Sequence, residues 1–600
     1  MAVTSEARYT EALDHMRIVK SPFSSTQDCF AQDVLREALK IPLRRFGNRD
    51  SITHGRPTPT GADVLTIMRD SLRTLQVQEL LYLLALLSTS AELDSRDLWD
   101  SEGILKSTEG LVNILSDGFA RFIHPSLKRH MLEYTALPGS TLDTSSSQVK
   151  LAKACIDLLS WKRFSDGPCV DKRSLEHRVS QSPLLDYAAK NWINHYNKAG
   201  RVEGNHASLR ESLLRFLRNE KSVSSARQLM LLPEPVWIGS SSLHDSSSSQ
   251  GGDMDDKGLR WPCYVGFAKS NHCDTTGLHL AITLGLHEIA RDLATELRSE
   301  NMSYPDGNGD TPLHLAITMH REQENGALIE HLINRHADLN VLDRKGFSPW
   351  HLAVAYGNIV AVEQMLGRPD ITLGVNAIVK PEDGTKPSKF SNTQDYGDFL
   401  WITKTMAGGT ALHLASRNGH FNIVNRLIKD DRVDGALEDA EGMTAFHKAC
   451  KYGRVGIIQL LIKANPGCVY HASSKDGRIG LHFACRYAAG YHAAKLLLAR
   501  YPDLCRVADK YGEVALHYAA KGEDERAIEL LLQQPDINAN HRNGRGETPL
   551  MLAVDSRSDN FDRLYDHPKT NRWGATGEFS MHEVREKHRL ASVSNDTRIL

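Results

Sequence analysis

Thr311-Pro312-Leu313-His314-Leu315-Ala316 is the stretch that decides how the second half of this chain is read, because it returns at a near-constant spacing. Its other copies begin at Thr276, Ser348, Thr410, Thr444, Ile479, Val514 and Thr548. The residue at the His position is His279, His314, His351, His413, His447, His482, His517 and Met551, in steps of 35, 37, 62, 34, 35, 35 and 34 residues. A Thr or Ser caps the free N–H groups of a helix start, and Pro suits the first helical position because its missing N–H would have no partner there. Two residues past the His an Ala recurs (Ala281 through Ala553), small enough to let helices approach closely. Gly285, Gly357, Gly419, Gly453 and Gly522 are expected to end the first helix in a left-handed conformation, with a second apolar helix after each. Asp306, Asp343, Asp439 and Asp509, each followed two or three residues on by Gly, mark turns between copies.

A fixed period near 34 residues with this motif resembles the ankyrin-repeat family over about residues 265 to 560. The resemblance implies a stack of helix pairs that binds a protein partner. It also implies that the recurring His bonds within its own motif and to the adjacent loop. Regular His residues invite a metal reading, but equivalent positions in neighbouring copies lie roughly 8–10 Å apart and zinc holds its ligands at about 2 Å. No metal is therefore expected at this column, nor at Cys263, His272 and Cys273, which lack a fourth ligand at finger-like spacing.

With 72 Lys and Arg against 74 Asp and Glu, the net charge of −2 gives no electrostatic reason to expect nucleic acid or an anionic membrane as partner. The longest apolar run, Leu80 to Leu87, is far short of the ~18 residues of a membrane span. Met1 to Lys20 has no apolar signal core, and nine Cys without a Cys-x-x-Cys pair read as reduced thiols. A cytoplasmic chain, with the nucleus as the other compartment open to it, is expected.

The polar stretch with Ser240 to Ser242, Ser246 to Ser249 and Gly251-Gly252 reads as a flexible linker. Before it, helical patterning covers Val77 to Leu87, Val149 to Trp161, Leu184 to Tyr196 and Leu209 to Leu217, and two apolar runs around Ser116-Asp117-Gly118 give a hairpin signal. The order of these segments, with Arg121-Phe122-Ile123-His124-Pro125 and Ser182-Pro183-Leu184-Leu185-Asp186-Tyr187, resembles the winged-helix and helical region of fungal NACHT-type ankyrin proteins over residues 60 to 200. In that family the region couples an NTPase switch to the repeats. No G-x-x-x-x-G-K-[ST] phosphate loop occurs, so no nucleotide or other cofactor is expected. The chain would be a relative without the ATPase, or one beginning downstream of it.

The expected fold is mostly α, an α-solenoid of about eight ankyrin repeats preceded by a helical domain with a small winged-helix-like unit. The expected domains are an undefined segment at 1–59, the winged-helix-like and helical domain at 60–235, the linker at 236–260, the repeats at 261–565 with an insertion at about 370–408, and a tail at 566–600. No Gly-x-Ser-x-Gly elbow or zinc-protease helix is present, so a non-catalytic scaffold is expected. The alternatives are a signalling subunit that depends on a separate NTPase, or an accessory protein of a fungal secondary-metabolite or toxin gene cluster. The candidate partner-binding residues are the varied turn tips Asn308, Arg344, Lys345, Glu441, Lys475, Lys510, Tyr511 and Arg545, with the insertion's aromatics Phe390, Tyr396, Phe399 and Trp401.

Overall fold

The structure, a computed structural model, describes residues 61–88, 101–123, 144–200, 206–233, 275–298, 302–368, 374–379, 409–554 and 560–572, less a few positions inside them, with a few further short pieces. Two compact units divide the chain, residues 1–296 and 297–600.

In the first unit, strands β1 (Ile52–Thr53) and β2 (Arg56–Pro57) precede helices α1 (Gly61–Asp70), α2 (Val77–Ser88) and α3 (Ser101–Ser107). The hairpin signal yields β3 (Val112–Ile114) and β4 (Ala120–Phe122), antiparallel, with Val112 opposite Phe122. Gly118, at φ 77°, supplies the turn, and Asp117 Oδ1 accepts from the Phe119 N–H at 3.0 Å. The chain just before α2 joins this hairpin as a third element: Gln76 bridges Phe119, and the Ala120 N–H donates to the Leu75 carbonyl at 3.0 Å.

Helices α4 (Thr144–Leu159), α5 (Lys172–Gln181), α6 (Leu185–Ala199), α7 (His206–Arg218) and α8 (Glu220–Met230) follow in the same unit. The pairing of α4 with α6 forms its centre, where Ala152, Ala188 and Ala189 are wholly buried and let the helices close around Ile156, Tyr187 and Trp192. One buried polar chain crosses this core. His195 Nδ1 donates to Gln148 Oε1 at 2.7 Å, Tyr187 Oη donates to His195 Nε2 at 2.8 Å, and the Leu72 N–H donates to Tyr187 Oη at 3.3 Å. Burial lowers the His195 pKa to about 4, so it stays neutral.

The expected linker is bounded by paired strands, β5 (Val236–Gly239) and β6 (Arg260–Cys263); residues 240–259 lie outside the described set. The first motif copy, α9 (Gly277–Thr283) and α10 (His287–Glu296), packs on α7 and α8, so the compact unit ends after this copy rather than at the linker. The contact explains a degraded motif position: a Cβ on Gly277 would overlap the Leu217 carbonyl oxygen, so the usual Pro cannot stand there. Arg218 and Glu296 add a bidentate pair at 2.8 and 2.6 Å across the same seam.

The second unit repeats one design. Its first helices are α11 (Pro312–Thr318), α13 (Pro349–Ala355), α15 (Ala411–Asn418), α17 (Ala445–Lys451), α19 (Gly480–Arg486), α21 (Ala515–Ala520) and α23 (Pro549–Ala553). The second helices are α12 (Glu322–Asn334), α14 (Ile359–Leu366), α16 (Phe421–Leu427), α18 (Val455–Ala464), α20 (Tyr491–Arg500), α22 (Glu525–Leu532) and α24 (Asn560–Asp566). First helices pack on first helices and second on second, giving two layers over a core that includes Ala316, Ala353, Ala415, Ala449, Ala484 and Ala519. Gly285 of the first unit and Gly357, Gly419 and Gly453 of the second take positive φ as expected. Gly522 does not; it is small because a Cβ there would lie 2.9 Å from the Cys485 carbonyl oxygen. Gly480, also at the Pro position, leaves room for Phe446 and Cys450, which a Cβ would meet at 2.6 and 2.9 Å. Among the described residues no helix is long and apolar enough to cross a membrane.

Candidate functional site

The six copies of the second unit that carry the motif His fix their turns through it. The backbone N–H of Thr311 donates to His314 Nδ1 at 3.0 Å, and that of Thr444 to His447 Nδ1 at 3.0 Å. With Nδ1 accepting, Nε2 carries the proton and donates to a carbonyl further along: His314 to Phe347 at 3.1 Å, His413 to Met443 at 2.9 Å, His447 to His471 at 2.9 Å, His482 to Val507 at 3.1 Å and His517 to Glu547 at 3.2 Å. Where Ile479 and Val514 replace Thr the hydroxyl is lost, yet their backbone N–H groups still reach His482 and His517 at 2.9 and 3.1 Å. Burial holds His314, His447 and His482 at about 4, and lowers His351, His413 and His517. The column is a set of neutral clamps joining copy to copy.

The turns themselves are built by one side-chain oxygen taking two backbone N–H groups. Asp343 Oδ1 accepts from Lys345 and Phe347 at 2.9 and 2.8 Å, Asp439 from Glu441 and Met443 at 2.9 Å each, and Asp509 from Tyr511 and Glu513 at 2.8 Å each. Asn543 does the same for Arg545 and Glu547 at 3.0 and 2.9 Å. Successive tips then bond to each other: Lys510 N–H donates to the Asp476 carbonyl at 3.0 Å and Gly544 N–H to that of Tyr511 at 2.7 Å. Asp310, beside the second turn, is pushed up to about 7 by burial and by the carboxylates of Asp306 and Asp343.

On this frame Asn308, Arg344, Lys345, Glu441, Lys475, Lys510, Tyr511 and Arg545 are all exposed. Two are not free to turn outward at no cost. Glu441 pairs with Lys448 at 3.0 Å, and the Lys510 ammonium donates to the carbonyls of Ser474 and Lys475. Tyr511, 57% exposed, is the one aromatic side chain among these tips. Phe390, Tyr396, Phe399 and Trp401 lie outside the described residues.

The tips are not the whole of the variable surface. Seven residues after the capping position, at or beside the last residue of the first helix, stand Arg417, Lys451, Arg486 and Lys521 in copies four to seven, with Tyr452 and Tyr487 immediately after two of them. Cations and rings interleave across copies. Arg417 lies 5.1 Å from the Tyr452 ring centre, Lys451 5.8 Å from Tyr452 and 4.9 Å from Tyr487, and Lys521 5.1 Å from Tyr518. Sequence reasoning passed over this set because it sought variation at turns; aligning the copies on their capping residue would have shown it as a column. Among the described residues no group of three or more His, Cys, Asp or Glu is placed to hold a metal.

Paired helices joined by His-clamped turns define a helical repeat array. Comparison with known proteins gives its class: residues 308–344 match the ankyrin repeat model, and residues 392–474 and 481–572 match a model of three ankyrin repeats, so the chain carries ankyrin repeats. The second match begins inside the insertion and takes in Tyr396, Phe399 and Trp401. Transient receptor potential cation channel subfamily A member 1 of Homo sapiens is 27% identical over 241 residues, 40% of this chain and 19% of that protein. Rabankyrin-5 of Mus musculus is 28% identical over 191 residues, 32% of this chain and 13% of its own length. The chain thus spans under a fifth of either relative. Among solved structures, the human ASB11 ankyrin repeat domain is 20% identical, covering 42% of this chain and 96% of that one at a TM-score of 0.32.

Proposed function

We propose that this protein is a non-catalytic interaction scaffold whose repeat array holds another protein. Support comes from the observation that exposed tips of differing chemistry, from Arg344 and Lys345 to Glu441 and Tyr511, sit on turns built to one hydrogen-bond plan. A rigid frame with variable ends lowers the ordering cost of binding. The partner lies along the tip side of copies two to seven and touches the insertion before copy four. Arg344→Ala, Lys345→Ala and Tyr511→Ala together, or deletion of residues 376–404, weaken capture of the partner in pull-downs; the substitutions leave the circular dichroism of the array unchanged, whereas the deletion also removes Ala377, whose carbonyl accepts from His351 Nε2 at 3.0 Å. Capture that survives both changes and is lost on removing residues 1–235 would move the binding function to the helical domain.

A second reading concerns residues 61–123. Three helices followed by a hairpin, with the chain before α2 meeting it through Gln76 and Phe119, support a winged-helix-like reading. On this reading the first unit is a regulatory surface that answers to a separate NTPase, and the chain itself binds no nucleotide. Micromolar affinity for ATP or GTP in a calorimetric titration of the purified chain would refute it.

A further inference from the structure

We propose that the basic column at the first-helix ends of copies four to seven is the seat of an extended acidic protein segment, one carboxylate to each copy. The proposal rests on the protein-binding reading above and assigns that partner its chemistry.

The column changes character along the array. At the same register, copies one to three carry Thr283, Thr318 and Ala355, and the next four carry Arg417, Lys451, Arg486 and Lys521. Of these four cations only Lys521 meets a carboxylate among the described residues, Glu513 at 2.7 Å. Arg486 donates to the Lys521 carbonyl, and Lys451 lies against the rings of Tyr452 and Tyr487. Arg417 Nη1 is buried with no hydrogen-bond partner among the described residues, and its guanidinium lies over the Tyr452 ring rather than against a carboxylate. Ring faces hold the cations in place without neutralising them, which leaves positive charge ordered in advance of a ligand.

Spacing selects the ligand. Packed helices of adjacent copies stand roughly 8–10 Å apart, and an extended chain advances about 3.3 Å per residue. In the extended polyproline II form, which repeats every three residues at about 3.1 Å each, carboxylates three residues apart lie on one face and fall in step with Arg417, Lys451, Arg486 and Lys521. A nucleic acid suits the surface less well. Glu441, Asp476, Glu513 and Glu547, on the turns of these and the following copy, would face an unbroken polyanion, whereas a segment with spaced acids can avoid them.

The test is fluorescence anisotropy of the full chain with a labelled peptide of about twelve residues, long enough at about 3.3 Å per residue to cross four copies. Its Glu residues stand at every third position with Ser and Gly between; the control has the same composition with its Glu residues contiguous. The spaced peptide binds more tightly than the control. Its affinity falls about tenfold with Lys451→Glu, less with Lys451→Gln, and drops as salt rises. Lys451 is chosen because its contacts are with the half-buried rings of Tyr452 and Tyr487 and with no carboxylate among the described residues, so thermal melts of both variants match the parent chain. Equal affinity for the two peptides, affinity unchanged by Lys451→Glu and by Arg417→Gln, or tighter binding of an oligonucleotide of matching length would each overturn the proposal. If the tip substitutions abolish capture of a cellular protein while Lys451→Glu leaves it intact, the scaffold reading stands and the acidic-segment proposal falls.

Discussion

The motif histidines of the second unit and His195 of the first are buried and neutral alike, yet hydrogen bonding holds them in opposite tautomers. In the array, Nδ1 accepts from a backbone N–H three residues earlier and Nε2–H reaches the following turn. In the helical unit, Nδ1–H donates to Gln148, 47 residues away, and Nε2 accepts from Tyr187. The first arrangement needs only a residue's own copy and its neighbour. The second needs α4, α6 and the chain after α1 to be assembled together. Polar groups in the array act as serial local clamps, and those in the helical unit as one cross-brace.

Acid should separate the two most strongly. A His held near 4 in the fold and near 6.5 when unfolded leaves the unfolded state binding more protons between those values, so stability is present above about pH 6.5 and is lost as pH falls toward about 4. Each such group costs roughly a factor of ten in the folding equilibrium per pH unit through that window. The array has six lowered motif histidines, His314, His351, His413, His447, His482 and His517, where the helical unit has His195. Hydrogen exchange at about pH 4.5 is expected to show protection lost first across residues 311–547; simultaneous loss in both units would break the contrast.

Next in size is Gly277→Ala, which drives a Cβ into the Leu217 carbonyl and costs about 3 kcal/mol. Exchange should rise in residues 206–230 and 276–296 together, and the melting temperature of the first unit should fall. Replacing one histidine from each pattern sharpens the comparison further. His447→Ala and His195→Ala each cost about 2 kcal/mol through unpaired buried groups, but the footprints differ. The first loosens residues 444–474 and leaves 144–199 protected; the second exposes residues 71–73, 147–151 and 185–199 at once. The smallest effect is Asp310→Asn. A carboxyl raised to about 7 contributes stability only while protonated, so the parent chain loses it as pH rises through that value. The variant should be the more stable by on the order of 1 kcal/mol at about pH 8 and indistinguishable near pH 4, read from melts at the two pH values.

The sites of the turns, the first helices and the clamp residues were legible in the sequence because every bond that makes them spans two to four residues or stays within about one repeat period. Asp343, Asp439 and Asp509 could be placed on turns for the same reason. The hairpin around Asp117 and Gly118 was legible too, its register fixed by a short turn. Gln148, Tyr187 and His195 carried no signal, since nothing local links residues so far apart. The basic column was present as letters but had no meaning until the first helices were seen stacked and the rings of Tyr452 and Tyr487 stood between the charges.

By itself the sequence determined an array of ankyrin repeats, its period, its caps and the positions of its histidines, because such structure follows from residue type at fixed short spacing. Tertiary structure alone decided why Gly277 and Gly480 stand where Pro is usual, why Gly522 is small without a left-handed backbone, and why the first copy belongs with the helical unit. Each of these turns on a close approach between elements, and the distance between two packed surfaces is written in neither of the sequences that form them.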